Sequence, residues 1–221
     1  RSLYGEELKR LGRFLVQAGG CEPTGRQIRL TIERYDDRRT AALAMRPKMS
    51  ARRWAETLVD LRSDPAADTL TRGASDSGEL DKLDKLDDGI ALALIGGPLL
   101  AQDGSFLELV ESAGGRIVVD ASEGGERTLP APVDRRRLEN DPFDELVRIY
   151  FGSIPDVFRR PNTGLYEWLD EHASARKVRG IILRRYPFCD LWHAELYRLR
   201  QWSKVPVLDI DVATGKEGES S

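Results

Sequence analysis

The chain has 221 residues, 40% hydrophobic and 32% charged, with a formal net charge of −3, ordinary proportions for a soluble globular protein long enough to bury one large core or two small ones. This balance carries no nucleic-acid footprint, because Arg38-Arg39, Arg52-Arg53 and Arg135-Arg136-Arg137 are offset by nearby acids. No apolar run reaches the ~18 residues of a membrane span, and no basic-then-apolar leader argues for export. Cys21 and Cys189 make no disulfide framework, so a cytoplasmic, reducing location is the expectation. Two histidines, His172 and His193, are too few for a histidine-built metal site.

Residues 1–62 read as a helical segment. Leu8, Leu11, Phe14 and Leu15 share one face of a first helix, which Gly19-Gly20 ends. Thr24 is placed to cap a second helix carrying Ile28, Ile32 and Tyr35, stopped by Pro47. Ser50 caps a third, with Trp54, Leu58 and Leu61 turned inward. Residues 63–89 are a polar linker rich in Asp, Ser and Gly, in which "DKLDKL" can form a short polar helix.

Residues 90–221 change pattern. "IALALIGG", "RIVVD", "VRGIILRRY" and "VPVLDIDV" are short apolar, β-branched runs suited to strands buried on both faces. Helical segments fall between them at 103–113, 141–151, 163–175 and 190–203. The alternation predicts an α/β domain with an open, mostly parallel four-stranded Rossmann-like sheet flanked by helices. The tail "GKEGESS" ends without a closing element, so the expectation is either a piece of a longer polypeptide or a chain that stops where order is lost.

Ligands of such sheets bind beyond the carboxyl ends of the strands. Those ends carry Gly96-Gly97, Asp120, Cys189-Asp190 and Asp211. Gly96-Gly97-Pro98 is either a tight turn or a place where backbone meets a ligand closely. Asp120 and Asp211 are either turn residues or ligand contacts. Arg127, after Gly124-Gly125, either closes a loop or holds a phosphate or carboxylate. No G-x-G-x-x-G or P-loop spacing is present. With Asp190 as cap, Cys189 sits at the amino end of a helix, where the partial positive charge favours thiolate. The alternative is a packed cysteine; Cys21 lies in a helix–helix turn. His193, four residues on, is the one nearby base for a cysteine nucleophile, or else a surface histidine.

These segments together resemble the 2-hydroxyacyl-CoA dehydratase and benzoyl-CoA reductase family, in particular the subunits like the D-component of 2-hydroxyglutaryl-CoA dehydratase. "VRGIILRRYPFCDLW" followed by "VPVLDIDV" is similar to the family's closing strand, F-C-D-P-W, helix and I-P-V-L strand. "GGPLLAQDGSFLELVESAGGRIVVDASEGGERT" and "DPFDELVRIYFGSIP" keep the family's upstream order, and "ELKRLGRFLVQAGGCEPTGRQIRLTIERYDDRR" resembles its helical segment. The resemblance implies a subunit of two α/β lobes, of which the amino-terminal lobe is missing here. It implies a [4Fe–4S] cluster held by three cysteines and an ATP-hydrolysing iron–sulfur activator protein that delivers one electron. It also implies a paralogous partner subunit and a CoA-thioester substrate, which passes through a ketyl radical as the 2-hydroxyl leaves. Cys189 would be the last of the cluster ligands, and Gly96, Gly97, Asp120 and Arg127 would line the substrate.

Two departures stand out. Where the family has a cysteine after I-P, "SIPDVF" has Asp156, a harder ligand than thiolate. F-C-D-P-W is here F-C-D-L-W. Two readings follow: a lyase or reductase subunit with iron–sulfur chemistry, or a cluster-less structural or CoA-binding partner subunit of such a complex.

Overall fold

The structure, a computed structural model, describes residues 2–63, 89–100 and 103–212. Three helices come first: α1 (Ser2–Gln17), α2 (Gly25–Met45) and α3 (Ala51–Ser63). Thr24 and Gln27 cap α2 reciprocally. The Thr24 Oγ1 accepts from the Gln27 amide at 3.3 Å and the Gln27 Oε1 from the Thr24 amide at 2.8 Å, so two amides without helical partners are satisfied. Pro47 falls in the 3-10 turn Arg46–Lys48 that ends the helix, and the Ser50 hydroxyl accepts from the Arg53 amide at the start of α3.

The remaining elements alternate: β1 (Ile90–Gly96), α4 (Gly104–Ser112), β2 (Gly115–Ser122), α5 (Arg135–Asn140), α6 (Pro142–Val147), α7 (Thr163–Ala175), β3 (Gly180–Arg185), α8 (Asp190–Trp202) and β4 (Val207–Asp211). All strand pairs are parallel and the order is β2-β1-β3-β4. This is the open four-stranded α/β sheet that the sequence predicts. The chain leaves β1 toward β2 and then returns across it to β3, so the strand order reverses beside β1. Crevices form at such a reversal.

Both sheet faces are buried, which explains why the strand sequences are continuously apolar rather than alternating. Ala93, Ile95, Val119, Ala121, Ile181 and Leu183 face one way, onto Leu165 and Leu169 of α7 and Trp192 and Leu199 of α8. Leu94, Ile117 and Ile182 face the other way, onto Ala51 of α3 and Leu107 of α4. The free edge of β2 is closed by side chains. Arg46 donates to the Ile117 carbonyl at 2.7 Å and Arg176 to the Val118 carbonyl at 2.6 Å, occupying acceptors that would otherwise template another strand.

Three features differ from the sequence reading or extend it. Residues 135–140 form α5, because Asp134 Oδ1 accepts from the Arg136 and Arg137 amides; an N-cap needs only that short side chain. The helix expected over 141–151 is capped by Asp141, but its last five residues, Arg148–Gly152, widen into a π turn. α1 forms, yet Leu11, Phe14 and Leu15 are 52%, 63% and 53% exposed. A period defines a stripe without supplying a surface to cover it. Only the first turns dock, through the stacking of Tyr4 on Phe151 at 5.2 Å and Gly5 beside Val147 and Phe143. The predicted polar linker, apart from Ser63 and Gly89, lies outside the described residues.

Candidate functional site

The carboxyl ends of the strands are joined by a glycine seam. Gly96 has φ +131°, and a Cβ there would lie 1.8 Å from the Arg184 carbonyl oxygen. The position therefore excludes side chains both by backbone conformation and by contact. The Gly97 amide donates to that same Arg184 carbonyl at 3.1 Å, and the Gly96 carbonyl accepts from the Glu123 amide at 3.1 Å. The pair approaches the protein's own backbone closely and ties the ends of β2 and β3 to β1.

A second glycine contact lies one strand over. A Cβ on Gly125 would come within 2.3 Å of the Asp120 carbonyl and carboxyl oxygens, so the loop after β2 rests directly on Asp120. From α3, Arg62 clamps the loop by donating to the Gly124 carbonyl at 2.6 Å and the Thr128 hydroxyl at 2.8 Å. The Asp120 carboxyl accepts from the Ser122 amide at 3.0 Å and is 4% exposed. Burial pushes its pKa up; Ser122 hydrogen bonds and Arg46 oppose this, and the charge of Glu126 reinforces it. Glu126 in turn accepts from the Asp120 amide at 2.9 Å and holds Arg176 through its second oxygen at 2.9 Å.

The seam divides the mouth of the sheet. Val119 and Ala121 belong to the face covered by α7 and α8, so Asp120 between them turns to the opposite face. There it lines a cavity of about 360 Å³ with residues of α3 and α4. Arg127, Asp156 and Cys189 occupy the other side. Arg127 is 1% exposed: its Nε donates to the Ala121 carbonyl at 2.9 Å, its Nη1 donates to the Pro155 carbonyl at 2.5 Å and lies 3.8 Å from Asp156 Oδ2. Its Nη2 has no partner among the described residues. The guanidinium lies 5.8 Å from the centre of the Trp192 ring, whose indole N–H donates to Glu123 at 3.1 Å. Burial pushes the pKa of Arg127 down, opposed by Asp156, Glu123 and Asp120.

Cys189 is itself the N-cap residue of α8, and Asp190 is the first helical residue, an acid in the first turn rather than the cap. The difference is one residue, and it leaves the sulfur at the positive end of the helix. Cys189 is a free, half-buried thiol packed against the core on the α7–α8 face; its amide donates to the Tyr186 carbonyl at 3.0 Å. Asp156 accepts from the Phe158 amide at 2.8 Å, a local turn, while facing Arg127. His193 does not turn to the cysteine: its Nδ1 lies 2.9 Å from Arg185 Nη1, which also donates to Asp211 at 3.0 Å. Asp211 thus serves the end of β4 through Arg185, with Asp209 beside it. Sequence reasoning missed Arg62, Glu126 and Arg176, which hold the loop over Asp120. The Arg62–Gly124 and Arg176–Glu126 contacts span 62 and 50 residues, and no local pattern marks them.

An open four-stranded all-parallel sheet flanked by helices, with a cavity and a buried acid at the carboxyl ends of its strands, defines an α/β protein of Rossmann-like class. Residues 1–220 match the family described as 2-hydroxyglutaryl-CoA dehydratase, D-component, and the chain belongs to that family. No curated protein matches it. Among the described residues no helix is long and apolar enough to cross a membrane.

The iron–sulfur cluster that the resemblance implies needs donors that converge. Among the described residues no three His, Cys, Asp or Glu side chains converge as a metal site. Cys189 is one thiol, Cys21 lies exposed in the turn between α1 and α2, and Asp156 already faces a buried guanidinium. The donor set of the described residues does not fit a cluster.

Proposed function

We propose that this chain is the CoA-thioester-binding component of a 2-hydroxyacyl-CoA dehydratase complex and does not itself assemble the iron–sulfur cluster. The observation that carries the reading is the pairing of Asp156 with Arg127 at the position where the resemblance implies a ligand cysteine. A guanidinium that is almost wholly buried keeps its charge by facing carboxylate, and that arrangement holds anions and carbonyl oxygens rather than iron. Gly96, Gly97, Asp120 and Arg127 frame the substrate side of the mouth, Arg127 contributing a positive field. The one-electron chemistry implied by the resemblance then belongs to a partner subunit supplied by an ATP-hydrolysing activator, in the cytoplasm.

One observation favours the second reading, in which this chain ligates iron. Cys189 is a free thiol half-buried at the amino end of α8, the position that the resemblance gives to a ligand. The two readings separate in one experiment. The intact complex is purified without oxygen with wild-type chain and with Cys189→Ala, and iron, assembly and dehydration of a 2-hydroxyacyl-CoA are measured. Unchanged iron and assembly in the variant support the binding-component reading. Loss of about four irons per chain refutes it in favour of Cys189 as a ligand. A wild-type complex unable to dehydrate any 2-hydroxyacyl-CoA refutes both.

A further inference from the structure

Arg46 is a buried charge that lacks a counter-ion. It is 6% exposed, and its Nη1 and Nη2 donate to the Met49 and Ile117 carbonyls at 3.2 and 2.7 Å. Its Nε has no partner, and no carboxylate forms an ion pair with it among the described residues. The Trp54 ring, 5.3 Å from the guanidinium, offsets part of the charge through its π face. Closing the edge of β2 requires donors alone, which an uncharged amide also supplies. A guanidinium buried at that position calls for an anion.

The surroundings supply a space for one. A cavity of about 280 Å³ opens beside Arg46 along the outer edge of β2, with Leu43, Met49 and Val118 as apolar walls and Pro47 at its exposed rim. Arg116 and Arg176 border the same cavity. The nearest acid is already committed, because Arg176 holds both oxygens of Glu126. Burial pushes the pKa of Arg46 down; Glu126 and Asp120 oppose this, and Arg176 and Arg116 reinforce it. Of the five guanidinium donors, the two carbonyls take one on each Nη, so Nε and both Nη atoms of Arg46 keep an N–H. A single unbalanced positive charge matches a monoanion, and the guanidinium fork matches a carboxylate. The apolar walls match a short hydrocarbon tail.

We propose that this cavity binds a small aliphatic monocarboxylate, its carboxylate against the Arg46 guanidinium and its tail along Leu43 and Val118. The site shares no lining residue with the cavity at the carboxyl ends of the strands. It is therefore a second site, and it depends on no reading of the activity.

The test is calorimetric titration of the full chain with butyrate, butyramide and inorganic phosphate at fixed ionic strength. Butyrate is expected to bind saturably, at least about 10-fold more tightly than its uncharged amide, and more tightly than phosphate, which has no tail for the walls. Pro47 is exposed, so substitutions there leave the fold intact. Pro47→Glu, which brings a like charge to the rim, should weaken butyrate about 10-fold, and Pro47→Gln should stay within about 3-fold of wild type. Arg46→Gln should erase the preference for butyrate over butyramide; if that variant does not fold, the Pro47 pair decides. Absence of saturable butyrate binding, equal affinity for butyramide, tighter binding of phosphate, or equal affinities in Pro47→Glu and Pro47→Gln would each overturn the proposal.

Discussion

Arg176→Met tests whether the lock on the edge of β2 also holds the mouth of the sheet in shape. The guanidinium donates to the Val118 carbonyl at 2.6 Å and to both carboxylate oxygens of Glu126, whose side chain is only 2% exposed. Removing one partner of a buried ion pair costs about 3–5 kcal/mol. The Arg176 side chain is 29% exposed, so water replaces part of what is lost and about 3 kcal/mol remains. For a chain of this size that lowers the melting temperature by roughly 6–12 °C. Urea unfolding of wild type, Arg176→Met, Glu126→Gln and the double variant supplies the assay. Glu126→Gln removes the stranded charge, so the double variant should recover about 2 kcal/mol relative to additivity. A single variant within about 0.5 kcal/mol of wild type, or strictly additive costs, would refute the account of Arg176 as the counter-charge of a buried carboxylate.

Two further expectations concern the seam and the acid. Gly96→Ala should destabilise by more than about 3 kcal/mol, since φ is +131° and the added carbon meets a backbone oxygen. Gly97→Ala, whose new carbon lies 3.1 Å from the movable Tyr186 ring, should cost less than about 1.5 kcal/mol; equal costs in chemical denaturation would contradict the seam. Asp120 has a raised pKa in the fold, so the folded state binds the proton more tightly than the unfolded chain. Its contribution is fully present below the unfolded carboxylate range and is lost as pH rises toward the folded value. Asp120→Asn should flatten that decline in unfolding free energy measured across pH, and an unchanged slope would show that Asp120 is not its source.

Residues 90–212 show why the fold was legible. Strands buried on both faces must be apolar at every position, and "IALALIG" and "GIILRR" are distinctive against the amphipathic helices between them. Caps such as Thr24, Asp134 and Asp141 act over three residues, so their signals are local even where one of them escaped notice. The family was legible because F-C-D-x-W and its neighbours are short ordered motifs, and the match over residues 1–220 bears it out.

By itself, then, the amino-acid order determined the alternation of strand and helix, the parallel sheet, the family and the placing of Cys189 at a helix start. Each follows from periodicity or contacts within a few residues. The tertiary structure decided the rest: that Asp120 and Cys189 stand on opposite faces of the sheet, that Gly96 meets the Arg184 carbonyl, and that Asp156 faces Arg127. Those relations join residues from different strands, loops and helices. They depend on which strands become neighbours and on which guanidinium reaches which carboxylate, geometry that has no expression along the chain.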